Sequence, residues 1–274
     1  MTHTLPPAGA SHPGPEENII MPRPLHAPVL SVRHWLAAGW RDYRATAGIS
    51  SGFSLLFVLV GAFAVWGLLR HDLALLLFPL FGGFVVVAPI LVTGYQRAAR
   101  LLRQGQRPRF SDLLLGIREG TPGIWFLTFL LGLGYLIWIT DALIIYGIYF
   151  GQRPLPLDGT LLSDPVLRGD LLGYLLYGGL LGLGIAAMGF VVAVFGIPLI
   201  LHQRLGFIHA VNRSVITVFR HPLLMLRWAL TLAAATLLTL SLALPLLVVV
   251  LPVLAYASYA AYDALFPAGG SPAD

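Results

Sequence analysis

Long apolar runs, broken by short connectors rich in arginine, set the reading of this chain. The runs 51–69, 73–95, 124–150 and 171–201 carry few charges. They match or nearly match the roughly 20 helical residues needed to cross a hydrocarbon core of about 30 Å. A fifth run, Leu223 to Tyr262, holds only Arg227 as a charge, and as one helix it would extend about 60 Å. We therefore divide it near Ser241–Pro245 into spans 223–241 and 243–262. The pattern predicts an all-α membrane protein with six transmembrane helices.

Three connectors show helical periodicity of another kind. From Val32 to Arg44, the residues Val32, Trp35, Leu36, Gly39, Trp40 and Tyr43 share one face, with Arg33, His34, Arg41 and Arg44 opposite. Such a helix suits the headgroup plane. A second segment starts at Ser111, an N-cap behind Pro108, and carries Leu113, Leu114 and Ile117 before the break at 120–123. A third runs from Phe207 to Arg220, with Phe207, Ile208, Val211, Val215, Val218 and Phe219 opposite His209, Asn212, Arg213 and Arg220.

Each amphipathic segment precedes a pair of spans, which suggests three repeats of an interfacial helix plus a transmembrane hairpin. Short similarities in the even-numbered spans agree, because Pro89, Pro198 and Pro252 sit in related apolar contexts. Each proline removes a backbone N–H and frees the carbonyl four residues earlier, on Val85, Val194 and Val248. Matched kinks could frame a cytoplasm-facing cavity, but ordinary proline kinks of membrane helices are the favoured account of them.

Composition agrees with a membrane class: 57% of residues are hydrophobic, 11% are charged, and the mean hydropathy is +0.82. Seventeen arginines and no lysine supply all the fixed positive charge. Most of them fall on one side of the spans, and Arg70, Arg153 and Arg168 fall on the other. Positive residues in short loops are retained in the cytoplasm. The expectation is a multi-pass bacterial inner-membrane protein with both termini cytoplasmic and Asp158 outside. Arg33, Arg41, Arg44, Arg97, Arg100, Arg103, Arg213 and Arg220 are the expected contacts to anionic lipid headgroups. Residues 1–28, rich in Pro, Gly, Ala and His, read as a disordered tail without a signal-peptide pattern, and 267–274 read as a second tail around a single domain, 29–266. The absence of cysteine excludes disulfides and thiol chemistry.

Several stretches carry a resemblance. They are His34 to Asp42 before the first span, Pro89 with Tyr95, Gln96 and Arg97, then Arg103 to Gly105, and Ile197 to Leu199 leading to His221, Pro222 and Leu223. Over roughly residues 30 to 262 the chain resembles a family of bacterial six-span inner-membrane proteins known only as a domain of unknown function. The resemblance implies fold and location and brings no activity with it.

Chemical motifs are sparse. Gly48 to Gly52 matches the nucleophile-elbow pattern without the strand–turn–helix setting that motif needs. Gly182 and Gly184 sit inside an apolar run and, with Gly178 and Ala186, form a small-residue packing face. His202 and His209 are separated by Gly206, and no metal or other cofactor is expected. Asp141 is the acidic residue well inside a span, either neutralised by Arg70, Arg153 or Arg168 or serving as a ligand or proton site. The expected function is non-enzymatic, a membrane interaction or assembly protein with a membrane-protein partner. The alternative is a transporter of small molecules or lipids with a cytoplasm-facing cavity. No nucleic-acid ligand is expected, and the oligomeric state is left open.

Overall fold

The computed structural model describes residues 30–118, 121–151, 164–242 and 244–266; the side chains of 75, 78, 79, 81–91 and 244 fall outside that description. The expected tails 1–28 and 267–274 also lie outside the described residues. Among the described residues the chain is helical, with no strand. Nine α-helices follow one another among them: α1 (Val32–Ala45), α2 (Ala47–Arg70), α3 (Leu77–Arg103), α4 (Phe110–Arg118), α5 (Pro122–Phe150), α6 (Pro165–Gln203), α7 (Phe207–Arg220), α8 (Pro222–Leu242) and α9 (Leu247–Leu265). Short 3-10 turns at Ala74–Leu76 and Leu244–Leu246 precede α3 and α9.

Five helices, α2, α5, α6, α8 and α9, are long and apolar enough to cross a membrane. The run 73–95 becomes the 27-residue α3, but the side chains of 81–91 are outside the described set. The long last run does divide at the expected place. Helix α8 ends at Leu242, and the 3-10 turn through Pro245 starts α9 without needing glycine. Proline suits such a site because its missing N–H falls in a first turn, where donors have no helical partner. Proline also opens α5, α6 and α8. At α6 the Asp164 carboxylate accepts from the Val166 amide at 2.8 Å, a normal N-cap.

Helix α6 has 39 residues, about 58 Å of rise against a core of about 30 Å. It pairs with α5 along most of its length, from Gly173 beside Tyr149 to Gly196 beside Leu127, and the far end of that pair holds Tyr146, Tyr149, Phe150, Tyr174 and Tyr177 in ring contact. Amphipathic rings of this kind favour the boundary between apolar core and water. The small-residue face assigned to α6 is real at Gly178 and Gly182, which are buried. The Trp138 indole N–H donates to the Gly178 carbonyl at 3.1 Å, and the Trp138 ring covers Gly182 where a Cβ would stand.

Helix α9 forms the centre. Over half of its most apolar window is buried, against 17–28% in the other four candidate spans. It packs against α1, α2, α3, α6 and α8, and Leu251, Pro252, Ala255, Tyr256, Ala257 and Ala261 join the main core. Helix α3 sits between α9 and the α5–α6 pair.

Candidate functional site at the arginine-rich end

The three short helices gather where α3, α6 and α9 end, and each lies across one of those helices. Helix α4 crosses α3 where two glycines meet. A Cβ on Gly94 would stand 2.6 Å from the Leu113 carbonyl oxygen, and one on Gly116 would stand 2.8 Å from Gly94 Cα. Helix α7 crosses α6 through Ala210 and Ser214, both fully buried. The Ser214 hydroxyl donates to the Val191 carbonyl at 2.7 Å and accepts from the Phe195 amide at 3.3 Å. One side chain thereby bridges both ends of a helical turn just ahead of Pro198. Helix α1 lies on α9, where a Cβ on Gly39 would stand 2.5 Å from the Val253 carbonyl oxygen.

These contacts correct the faces assigned from periodicity. On α1 the covered residues are Trp35, Ala38, Gly39, Asp42 and Tyr43, while Trp40 is exposed. The face meets α9 rather than headgroups because small residues allow close backbone approach, and Trp40 is too bulky for that seam. On α7, Ile208 and Phe219 face outward and Ala210, Ser214 and Val218 face inward. Ser111 is not the cap of α4. The helix begins at Phe110, and Asp112, three residues on from Arg109, accepts from the Arg109 amide at 2.8 Å. A carboxylate at that position reaches back over the free first-turn donors better than a serine inside the helix can.

Where α1, α2, α3 and α9 meet, buried hydroxyls form a seam that the periodicity reading passed over. The Thr46 hydroxyl lies 2.9 Å from Ser50 Oγ and donates to the Tyr256 hydroxyl at 2.9 Å; Ser50 Oγ is 2.8 Å from the same Tyr256 oxygen. One turn further, Ser54 Oγ is 2.7 Å from the Tyr95 hydroxyl. Each bond contributes about 1 kcal/mol net, and leaving one partner unpaired costs about 1–3 kcal/mol. Thr46, Ser50 and Ser54 recur every four residues, so a polar stripe on the first span was visible in the sequence. Ser50, the centre of the apparent nucleophile elbow, is therefore a structural hydroxyl in the first turns of α2.

Asp42 is only 8% exposed and pairs with Arg103 at 3.1 Å. Burial pushes its carboxyl above the ordinary 3.8, outweighing the Arg103 and Arg41 guanidiniums, which pull it down; Asp263 adds a smaller upward push. The folded state thus holds this proton more firmly than the unfolded chain. The associated stability is complete below about pH 3.8 and is lost as pH rises through the raised value. Melting of the purified protein from pH 3.5 to 7, beside Asp42→Asn, is expected to show wild type losing stability relative to the variant as pH rises. Parallel melting curves would remove Asp42 as the cause.

The expected headgroup arginines divide into two groups. Arg33, Arg41, Arg44, Arg103, Arg213 and Arg220 are exposed, with Arg103 tied to Asp42. Arg97 and Arg100 are half-buried and line a cleft with Thr93, Gly116, Leu201 and His202, about 210 Å³ including its mouth. Arg97 also pairs with Asp112 at 3.6 Å. The His202 ring packs edge-on to Tyr259 at 5.3 Å and tilted on Tyr262 at 5.5 Å. Neither His202 ring nitrogen, though both are buried, has a hydrogen-bond partner. His209 is on α7, past the left-handed Arg204 and Gly206 that separate it from α6.

Asp141 stands part-exposed on α5, at the end remote from this cleft, and among the described residues it makes no ion pair with Arg70 or Arg168. Arg153 lies outside the described residues, and so does the side chain of Pro89. Pro198 and Pro252 are within α6 and α9 and buried. Gln96, one of the residues carrying the family resemblance, is 3% exposed, and its Oε1 has no hydrogen-bond partner.

No curated protein and no solved structure matches this chain. A family model does match residues 77–202, just under half of the length, from the start of α3 to His202. That segment, set among apolar helices, marks the chain as an integral membrane protein related to the family described as "Predicted integral membrane protein (DUF2189)", whose function is unknown.

Proposed function

We propose that this chain is a six-span bacterial inner-membrane protein with both termini in the cytoplasm, acting without catalysis as an interaction or assembly protein for another membrane protein. What supports this reading most is how its internal polar groups are used. The hydroxyls of Thr46, Ser50, Ser54, Tyr95 and Tyr256 bond chiefly to each other and lock α1, α2, α3 and α9 together. Polar groups that serve the fold in this way are not offered to a passing substrate. The outer faces of α5 and α6 are apolar, with Phe129, Leu136, Ile148, Leu180 and Leu183 exposed, as lipid or a membrane partner requires. In this reading α3 is the sixth span, and the short helices on α3, α6 and α9 are three repeats of one device.

A transporter of small molecules or lipids is the second reading, favoured by buried Pro198 and Pro252 and by the cleft at the ends of α3 and α6. Mass spectrometry of tagged protein purified in lipid nanodiscs separates the two. A stoichiometric protein partner that survives a salt wash is expected. The protein without any partner, carrying one enriched metabolite, would overturn the assembly reading in favour of transport.

A further inference from the structure

The cleft between α3, α4 and α6 is built differently from the rest of the arginine-rich end. Most arginines there are exposed, as a diffuse basic surface requires, but Arg97 and Arg100 are drawn in beside a histidine. An imidazole carries at least one N–H donor, and a buried donor without an acceptor costs about 1–3 kcal/mol. Both His202 ring nitrogens, a donor and an acceptor in the neutral ring, are left unpaired, while the ring is held by Tyr259 and Tyr262. Arg100 has no ion pair within the described residues. Arg97 and Asp112 offset each other across 3.6 Å, so the fixed charge facing the cleft is that of Arg100. Thr93 and Gly116 complete the wall, and at Gly116 the backbone comes close enough to exclude any side chain.

We propose that this cleft binds a phosphate group, with Arg100 supplying the charge and His202 a hydrogen bond. Phosphate fits because its several acceptor oxygens can meet a guanidinium fork and an imidazole N–H together. All six lining residues fall within the matched segment 77–202. The group comes either from a lipid headgroup at the membrane surface or from a soluble phosphate. The proposal stands apart from the assembly reading, since either an assembly protein or a transporter could hold such a group.

The test uses the full-length protein in detergent with two probes. Inorganic phosphate is titrated at constant ionic strength while melting is followed, and phosphatidylglycerol retention is read by native mass spectrometry against diacylglycerol, which lacks phosphate. Wild type is expected to be stabilised by phosphate, to retain phosphatidylglycerol, or both, and Arg100→Gln to bind about tenfold more weakly. Retention of phosphatidylglycerol assigns the site to a membrane lipid; a melting shift with phosphate alone assigns it to a soluble anion. Arg118→Gln removes an exposed arginine of α4 outside the cleft and is expected to bind as wild type does. Arg100 is half-exposed and without an ion pair, so its variant should fold, and circular dichroism checks this. Binding of neither probe, as when water alone fills the cleft, overturns the proposal. Equal weakening by Arg118→Gln also overturns it, since that is the behaviour of a diffuse basic surface.

Discussion

Trp35→Ala is expected to destabilise the protein by about 3–5 kcal/mol, the usual cost of removing a large aromatic from a packed interior. Trp35 is fully buried, with its ring edge-on to Trp228 of α8 at 5.6 Å. Truncation leaves a cavity between α1, α8 and α9 that the surrounding helices can fill only in part. Had α1 simply floated among headgroups, lipid would close around the smaller side chain and melting would hardly change. Trp35→Phe should recover most of the loss. It keeps most of the ring contact and discards an indole N–H that is buried without a partner. Thermal melting followed by circular dichroism gives the answer, and a Trp35→Ala curve lying on that of wild type would refute the docking of α1.

Gly39→Leu should be comparably damaging for the opposite reason. The first carbon of any side chain there would stand 2.5 Å from the Val253 carbonyl oxygen and 2.7 Å from the Ala257 amide nitrogen. Both are backbone atoms of α9 and cannot rotate away, so α1 must lift off with its whole face. The expected loss is about 3 kcal/mol or more. It should be seen as aggregated material in size-exclusion chromatography and a lowered melting temperature. Gly48→Leu is the matched control: nothing lies within 4 Å of the added carbon, and the exposed position tolerates it. Identical behaviour of the two variants would mean that the α1–α9 crossing does not exist in the membrane.

The elements were largely legible in the sequence because spans and amphipathic segments obey strong local rules. Apolar length placed α2, α5 and α6, and periodicity placed α1 and α7 within a residue or so of their ends. What periodicity lacked was the identity of the surface that each short helix meets. A stripe containing Trp35, Gly39 and Trp40 reads the same whether it faces lipid or protein, and only the close approach at Gly39 decides between them. The buried Asp42 was hidden for a related reason. Its guanidinium partner stands 61 residues away at the end of α3, beyond the reach of any local pattern. For the cleft, Arg97 and Arg100 were picked out as cations, but nothing short of the tertiary fold could bring His202 beside them. Asp141, the residue that the cost of membrane burial singled out, is not drawn into that cluster.

The lodging of α1 on α9 also has a consequence in time. Helix α1 is covered by α9, which is synthesised more than 200 residues later. At about 5–20 residues per second, that is a wait of roughly 10–40 s. For that whole interval Trp35, Gly39 and Asp42 have no α9 to cover them, while the hydroxyls of Thr46 and Ser50 await Tyr256. Chains cut before Leu247 should therefore insert most of their spans yet remain targets for membrane proteases. The arrival of α9 then closes the face of α1 and pairs those hydroxyls.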